Sequence, residues 1–420
     1  MLSMSTLVSF LGRSQPDNPC GYRPATYAFP GGNRTTTFMG FELARILKPA
    51  RVVIMGTDAS MWDHLVEHLA DGEPAQWADS DEVLCARLAL IDEVKRQNVS
   101  GATLEKVLPI FRDRFQCEVL PRLIPYGRTP GEQEQILQAI AEAVPDGDVH
   151  FDVTHGFRHL SMVAFTSAFM LGRLRRVRVQ SLWYGALDMT RDGVTPVVKL
   201  EGLNQVHEWT LALARFEASG DYGVFAELLE NGGLPSSAVN NLRQAAFFER
   251  ILNVSQAAAR LKIVLGELQK PLRGPAELFR ETLLARLDWA RRGETYDHQR
   301  HLAWEYLKRG DLPRAAAFGF EAVLTRLCIK ADRDAHDYGQ RMTAWTELKD
   351  LIRKRDHAGR MRSCRRELNL LRGIRNSLAH GLPARGKDVA PLLQEPGKLS
   401  VELERIFECA LGRPGSSWPW

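Results

Sequence analysis

At 420 residues the chain is too long for one ordinary hydrophobic core and calls for two or three domains. Apolar residues make up 45% and charged residues 25%, the profile of a soluble globular protein, and no apolar run approaches the 18 or so residues that a membrane-spanning helix needs. The formal net charge of +4 is small, so any polyanion-binding surface must come from local clustering.

The N-terminal stretch MLSMSTLVSFLGRSQ has no basic leader region, and its apolar run is strand-length, so a cytoplasmic rather than secreted protein is expected. Cys20, Cys85, Cys117, Cys328, Cys364 and Cys409 are scattered, with no CxxC pair and no His at zinc spacing. They read as reduced, mostly buried thiols, and no metal site is expected.

Residues 1–203 alternate strand and helix signals. STLVSFLG is a continuous apolar run closed by Gly12, as in a central strand of a parallel sheet. YRPATYAF reads as an edge strand or hairpin arm because Pro24 lacks a ladder donor. TTTFMGFELARILK has helical apolar spacing, with its Thr run as N-cap, and ARVVIMG is a second buried strand. Helices are expected at 60–70, 81–97 and 103–115. CEVLPRLIP reads as a strand, GEQEQILQAIAEAV as a helix, DVHFDVTHG as a strand, LSMVAFTSAFMLGRL as a helix and VRVQSLWYG as a last strand. This rhythm predicts an α/β Rossmann-like parallel sheet with helices on both faces. Beyond residue 203 the strand signals vanish, and Gly and Pro breaks separate amphipathic helices. A helical connector (204–290) and an all-α domain (291–420) are expected, with a helical hairpin turning at Gly310–Asp311, a helix ELNLLRGIRNSLAHG, and a loose tail GRPGSSWPW.

Two constellations carry chemistry. The first joins FLGRS, after the first strand, to DVTHGFR, after a later one. Parallel sheets bind ligands at the carboxyl ends of their strands. Gly12 and Gly156 let backbone approach a ligand, Thr154 and the following helix start offer donors to phosphate, Arg13 and Arg158 can pair with it, and His155 can donate or stack. The same residues also suit a capped turn in which Asp152 satisfies nearby amides. Neither GxGxxG nor GxxxxGK[ST] is present.

The second constellation is RNSLAH. Asn376 and His380, four apart, share a helix face that Arg375 flanks. His is the usual acid or base near neutral pH, and Arg can stabilise the extra charge of a pentacoordinate phosphorane. Such a set could cleave RNA through its own 2′-hydroxyl without a metal, although Arg, Asn and His on one helix are also common without function. A basic block precedes it (Arg353, Lys354, Arg355, Arg360, Arg362, Arg365, Arg366, Arg372), which fits a polyanion or a solvated helix face.

DVTHG, within FDVTHGFRHLSM, resembles the DxTHG signature of a family of CRISPR-associated proteins, and the nearby SFLG resembles that family's first strand and ligand loop. RNSLAH resembles the R-x4-6-H signature of HEPN ribonucleases. Together they resemble a CARF–HEPN protein of type III CRISPR systems, a Rossmann-fold sensor fused to a helical HEPN nuclease. The resemblance implies a homodimer, or a higher oligomer of dimers, that binds a cyclic oligoadenylate activator at its two-fold interface. Cyclic tetra-adenylate is favoured over hexa-adenylate, and no cofactor is needed. The activated protein is expected to cut single-stranded RNA, leaving 2′,3′-cyclic phosphate ends. It further implies Gly12, Arg13, Asp152, Thr154, His155, Gly156 and Arg158 as ligand-side residues, and Arg375, Asn376 and His380 as the nuclease set. Slow cleavage of the activator by the sensor is a further implied activity. The competing readings are a ligand-binding regulator whose helical part only dimerises or binds a partner, and a Rossmann metabolic enzyme with a helical substrate domain.

Overall fold

The computed structural model describes residues 5–13, 24–71, 76–354, 359–381 and 387–419. The chain divides into two compact units, Met1–Glu201 and Gly202–Trp420.

The first unit is built on eight strands: β1 (Ser5–Phe10), β2 (Ala25–Phe29), β3 (Gly32–Thr36), β4 (Arg51–Gly56), β5 (Glu118–Leu123), β6 (Gly147–Asp152), β7 (Val177–Gly185) and β8 (Val194–Lys199). Their order in the sheet is β3-β2-β8-β7-β6-β1-β4-β5. The stretch from β7 to β5 is parallel throughout, whereas β8 runs antiparallel to β7 and β3 antiparallel to β2. β1, β4 and β6 are near-continuous apolar runs because both sheet faces are covered. One face packs Leu7, Val52 and Ile54 against Met39, Leu43, Trp62 and Phe111, and the other packs Val8, Val53 and Phe151 against Ile136, Ile140 and Leu160.

The Rossmann-like expectation is met, with three local corrections. VRVQSLWYG is not the last strand, since β8 follows through the turn at Asp192 and Gly193, where φ is +50° and +74°. Of the two readings of YRPATYAF, the hairpin arm holds and the edge strand does not: β2 pairs antiparallel with β3, which takes the edge, and Pro24 precedes β2. The Thr run divides: Thr35 and Thr36 finish β3, and the helix Met39–Leu47 starts only after Phe38, without a side-chain cap from Phe38.

In the second unit no strand occurs among the described residues. Trp209, Phe216, Phe225, Leu242, Leu261 and Leu283 belong to one apolar cluster, whose residues run from Trp209 to Ala290. A second cluster is built on the hairpin of helices Thr295–Lys308 and Leu312–Lys330, with Phe318, Phe320 and Trp345 meeting Leu371, Ile374 and Phe407. The hairpin turns at Gly310, φ +74°. VNNLRQAAFFERILNVSQAAARLKIVLGEL forms two helices, Ser236–Arg250 and Val254–Glu267, because Leu252 takes a left-handed φ of +64° and the Asn253 side chain caps the second. Among the described residues no helix is long and apolar enough to cross a membrane.

The tail is not loose. Trp418 donates to Asp297 at 3.1 Å and lies under the guanidiniums of Arg300 and Arg326, at 4.9 and 4.4 Å from its ring centroid. Arg300, 4% exposed, donates to the carbonyls of Leu411 and Ser416, so its buried charge is shared among several acceptors. Of the cysteines, Cys328 is buried, Cys117 and Cys409 are half-buried and Cys85 is exposed, which corrects the expectation of mostly buried thiols; Cys20 lies outside the described residues, as does the side chain of Cys364.

Candidate functional site

β1 lies between β4 and β6, and the chain builds outward from it in both directions. The β1/β6 boundary is therefore the switch point of the sheet, where loops leave in opposite directions and open a crevice. The two segments singled out from sequence, Leu11-Gly12-Arg13 and Val153–Phe157, leave these two adjacent strands on the same edge.

Asp152, fully buried, holds the crevice together. Its carboxylate accepts the Ser9 hydroxyl of β1 at 2.6 Å and the Thr154 amide at 3.0 Å. It acts from beneath the turn rather than from its surface. Thr154 also faces inward: its hydroxyl accepts the Gly185 amide from β7 at 2.9 Å and points at the Met39 sulfur. His155 is 7% exposed; its Nε2 accepts the Met39 amide at 3.3 Å, and its ring stacks on Phe38 at 5.6 Å. The imidazole thus covers the start of the helix Met39–Leu47. Burial pushes its pKa down, with Asp152 pulling the other way, which keeps it neutral and able to accept. Gly156 has φ +99°, and a Cβ there would come 3.2 Å from the Phe10 Cβ, so both conformation and space demand glycine.

Arg13 and Arg158 differ from these. Both are exposed and, among the described residues, neither has an ion-pair partner. Arg158 opens the helix Arg158–Leu174, whose first turn offers free amides to an anion. The Gly12 carbonyl accepts the Met61 amide at 2.9 Å, and the Ser60 hydroxyl donates to the Leu11 carbonyl at 2.9 Å, tying the β1 exit to the β4 exit.

Sequence reasoning missed the rest of this edge. Thr57, Asp58 and Ser60 leave β4, and Tyr126 and Arg128 follow β5. The Tyr126 hydroxyl donates to Asp58 at 2.8 Å, Arg128 lies over its ring at 4.2 Å, and His159 donates to its carbonyl at 2.7 Å. Burial, then Asp58, raises the Tyr126 pKa, so its phenol stays protonated. The signal was present, since MGTDAS is another apolar strand leaving through Gly, Thr, Asp and Ser. Among the described residues, no cluster of three or more His, Cys, Asp or Glu is arranged to hold a metal ion.

In the second unit, the helix Gly359–His380 buries Leu368, Leu371 and Ile374 on the hairpin and ends at Gly381, φ +60°. Arg375 and Asn376 are half-buried in its last turns, and His380 is exposed in the final one. Arg375 donates to the Asn376 side-chain oxygen at 3.1 Å, stands 4.0 Å from the Glu321 carboxylate, and lies 5.7 Å from the Phe320 ring centroid. Glu321 also pairs with Arg341. His380 is thus open to solvent at the helix end, while the Arg375 guanidinium is engaged by Asn376 and Glu321. Of the basic block, Arg366 and Arg372 are described; Arg355 lies outside the described residues, as do the side chains of Arg353, Lys354, Arg360, Arg362 and Arg365. His301 is half-buried beside Trp289, and its pKa is pushed down chiefly by desolvation.

Residues 6–186 match the family model described as the CARF domain of the CRISPR system endoribonuclease Csx1. Among curated proteins, the CRISPR-associated protein MJ1674 of Methanocaldococcus jannaschii is 25% identical over 225 residues. That match covers 50% of this chain and 35% of the relative, so the chain spans about a third of that protein's length.

Proposed function

The N-terminal unit is a CARF domain of the kind found in CRISPR-associated proteins, and from that premise we propose that the chain is a cyclic oligoadenylate-activated endoribonuclease of type III CRISPR defence. The observation that carries this reading is the pair of arginines, Arg13 and Arg158, without an ion-pair partner among the described residues, on adjacent strand exits at the switch point, above a floor locked by Asp152. Two such edges related by a two-fold axis present four guanidiniums to a ring of phosphates, which suits a homodimer and a cyclic tetra-adenylate. The exposed Met162 and Leu174, on the helix that Arg158 opens, supply apolar surface for such a partner.

In the helical unit, which we divide into a connector (204–290) and a HEPN domain (291–420), Arg375, Asn376 and His380 form the nuclease set. The 2′-oxygen of the RNA attacks the adjacent phosphorus, the P–O5′ bond breaks, and a 2′,3′-cyclic phosphate and a 5′-hydroxyl result. His380 takes the 2′-hydroxyl proton or delivers one to the leaving oxygen. Arg375 holds the phosphate and stabilises its added charge, and Asn376 orients Arg375. No metal or other cofactor enters this chemistry.

The test is cleavage of single-stranded RNA by the purified full chain, in EDTA, with cyclic oligoadenylates of different ring size. Cleavage is expected with the tetra-adenylate and is expected to disappear in His380→Ala while activator binding persists. Intact RNA with every ring size overturns the reading. Arg13→Ala combined with Arg158→Ala is expected to weaken activator binding at least tenfold, since each lost charge-assisted bond is worth about 1.5–3 kcal/mol. Unchanged affinity in a calorimetric titration removes both from the site.

The engagement of Arg375 by Glu321 and Asn376 also suits a helix end with no chemistry. That favours the alternative of a ligand-binding regulator whose helical unit binds a partner. Activator binding without RNA cleavage, in a wild-type chain as in His380→Ala, selects it.

A further inference from the structure

The arginines at the switch point answer phosphates, but the same sheet edge carries a carboxylate that phosphates repel. Asp58 leaves β4 half-exposed and, among the described residues, has no ion-pair partner. Its Oδ1 accepts the Tyr126 hydroxyl at 2.8 Å, which fixes the direction of the carboxylate. Its Oδ2 has no hydrogen-bond partner among the described residues and stays open to a donor from outside. Arg13 stands near enough to Tyr126 to pull its phenol pKa down, against the larger effects of burial and Asp58. Asp58 and the phosphate-side guanidinium therefore share one locality. Arg128, over the Tyr126 ring at 4.2 Å, adds a further cation there. A carboxylate set among these cations weakens their hold on a phosphate. Its use is to a ligand group that donates a hydrogen bond.

The order of the strands says which group that is. The parallel strands lie as β5-β4-β1-β6-β7, which in chain order is the 3-2-1-4-5 arrangement of a doubly wound nucleotide-binding sheet. In such sheets the turn after the first strand takes phosphate, and an acidic residue about 20 residues on takes a ribose 2′-hydroxyl. That distance is one crossover helix and one strand, so the acidic residue sits where the second parallel strand ends. Here the second parallel strand is β4, and the acidic residue at its exit is Asp58. It follows Gly12 by 46 residues because the β2–β3 hairpin is inserted between the two strands, which is why spacing alone does not reveal it. An adenylate has two kinds of donor, the base amino group and the sugar hydroxyl. The hydroxyl adjoins the phosphates, as Asp58 adjoins Arg13, whereas the amino group lies at the far end of the nucleotide. In a ring closed through 3′ and 5′ oxygens the 2′-hydroxyl is the one left free.

We propose that Asp58 is the sugar reader of this site: its open oxygen accepts a 2′-hydroxyl of the activator, Tyr126 positions it, and the sensor thereby admits an RNA-type ring and rejects a DNA-type one. The proposal rests on the activator reading of the site and adds to it a residue that sets specificity rather than affinity. The test is calorimetric titration of cyclic adenylates of four and six units, and of their 2′-deoxy counterparts, into the full chain. Wild type, Asp58→Asn, Tyr126→Phe and Arg13→Ala with Arg158→Ala are compared. Wild type is expected to prefer the ribose ring about tenfold or more, the value of one charge-assisted hydrogen bond. Asp58→Asn keeps an acceptor for Tyr126 but lacks the charged oxygen, and its preference is expected to fall to about threefold or less. Tyr126→Phe frees the carboxylate to turn, and its preference is expected to fall in the same direction, which tests the site through a second residue if Asp58→Asn does not fold. The double arginine variant is expected to weaken both kinds of ring alike and to leave their ratio unchanged, which a merely structural role for Asp58 does not predict. A ribose preference that survives Asp58→Asn and Tyr126→Phe overturns the proposal, as does a wild type that binds the two kinds of ring equally, and in both cases the activator reading stands. A wild type that binds no ring of either kind removes the activator reading and this proposal together.

Discussion

Glu249 is the most perturbed carboxylate among the described residues. It is 4% exposed in the helical unit and accepts the Tyr306 hydroxyl at 2.6 Å. Burial raises its pKa to about 7, against the opposing hydrogen bond from Tyr306. The folded chain therefore keeps a proton that the unfolded chain has lost between about pH 4.5 and pH 7, and stability falls as pH rises through that window. Glu249→Gln keeps the acceptor for Tyr306 and removes the ionisation. The thermal midpoint is expected to rise relative to wild type at pH 8.5 and to change little at pH 5. A shift of equal size at both pH values would show that ionisation is not what Glu249 costs. Nothing in AAFFERI marks this residue in the sequence, because its environment comes from Tyr222 and Tyr306, far away along the chain. His155 is the converse case: its place in DVTHG was legible, but its acceptance of the Met39 amide, 116 residues earlier, was not.

Among the elements, the strands that bear the site were legible because parallel strands buried on both faces are written as unbroken apolar runs. β8 was not legible, since VTPVVK carries a proline and pairs antiparallel with β7. The order of the strands was beyond sequence reading as well, and it is the order that makes β1 and β6 neighbours. Asp152 and Ser9 pin that pair 143 residues apart. Asp152→Ala leaves the Ser9 hydroxyl and the Thr154 amide unpaired in the core. It is expected to cost about 2–6 kcal/mol in urea unfolding, the sum of two buried unmet donors. Ser9→Ala removes one donor and leaves the carboxylate its amide partner, so it should cost less. Equal losses would mean that the carboxylate does not serve both groups.

Over the whole molecule, the division into a sheet unit and a helical unit was readable from the change of apolar period near residue 200, and the contact boundary falls at Glu201 and Gly202. The tail was misread because its Gly, Pro and Ser content resembles a linker, while its single described tryptophan is what anchors it. Trp418→Ala removes a hydrogen bond and two cation–π contacts, and should lower the stability of the full chain by about 2 kcal/mol. The thermal transition of the variant measures this, and an unchanged midpoint would return the tail to a loose one.

The central position of β1 also governs when this protein can fold. Among the described strands β1 leaves the ribosome first, yet its two neighbours begin at Arg51 and Gly147. One side of the sheet must wait for almost the whole unit to be synthesised, with a strand edge meanwhile open to any extended segment nearby. The helices of the other unit need no such wait, because its closest pairs are successive in the chain. Folding on the ribosome should therefore pass through a long interval in which the sheet unit is half-made, and slow translation or a chaperone bound between β4 and β6 would decide the yield of folded protein more than the stability of either finished unit.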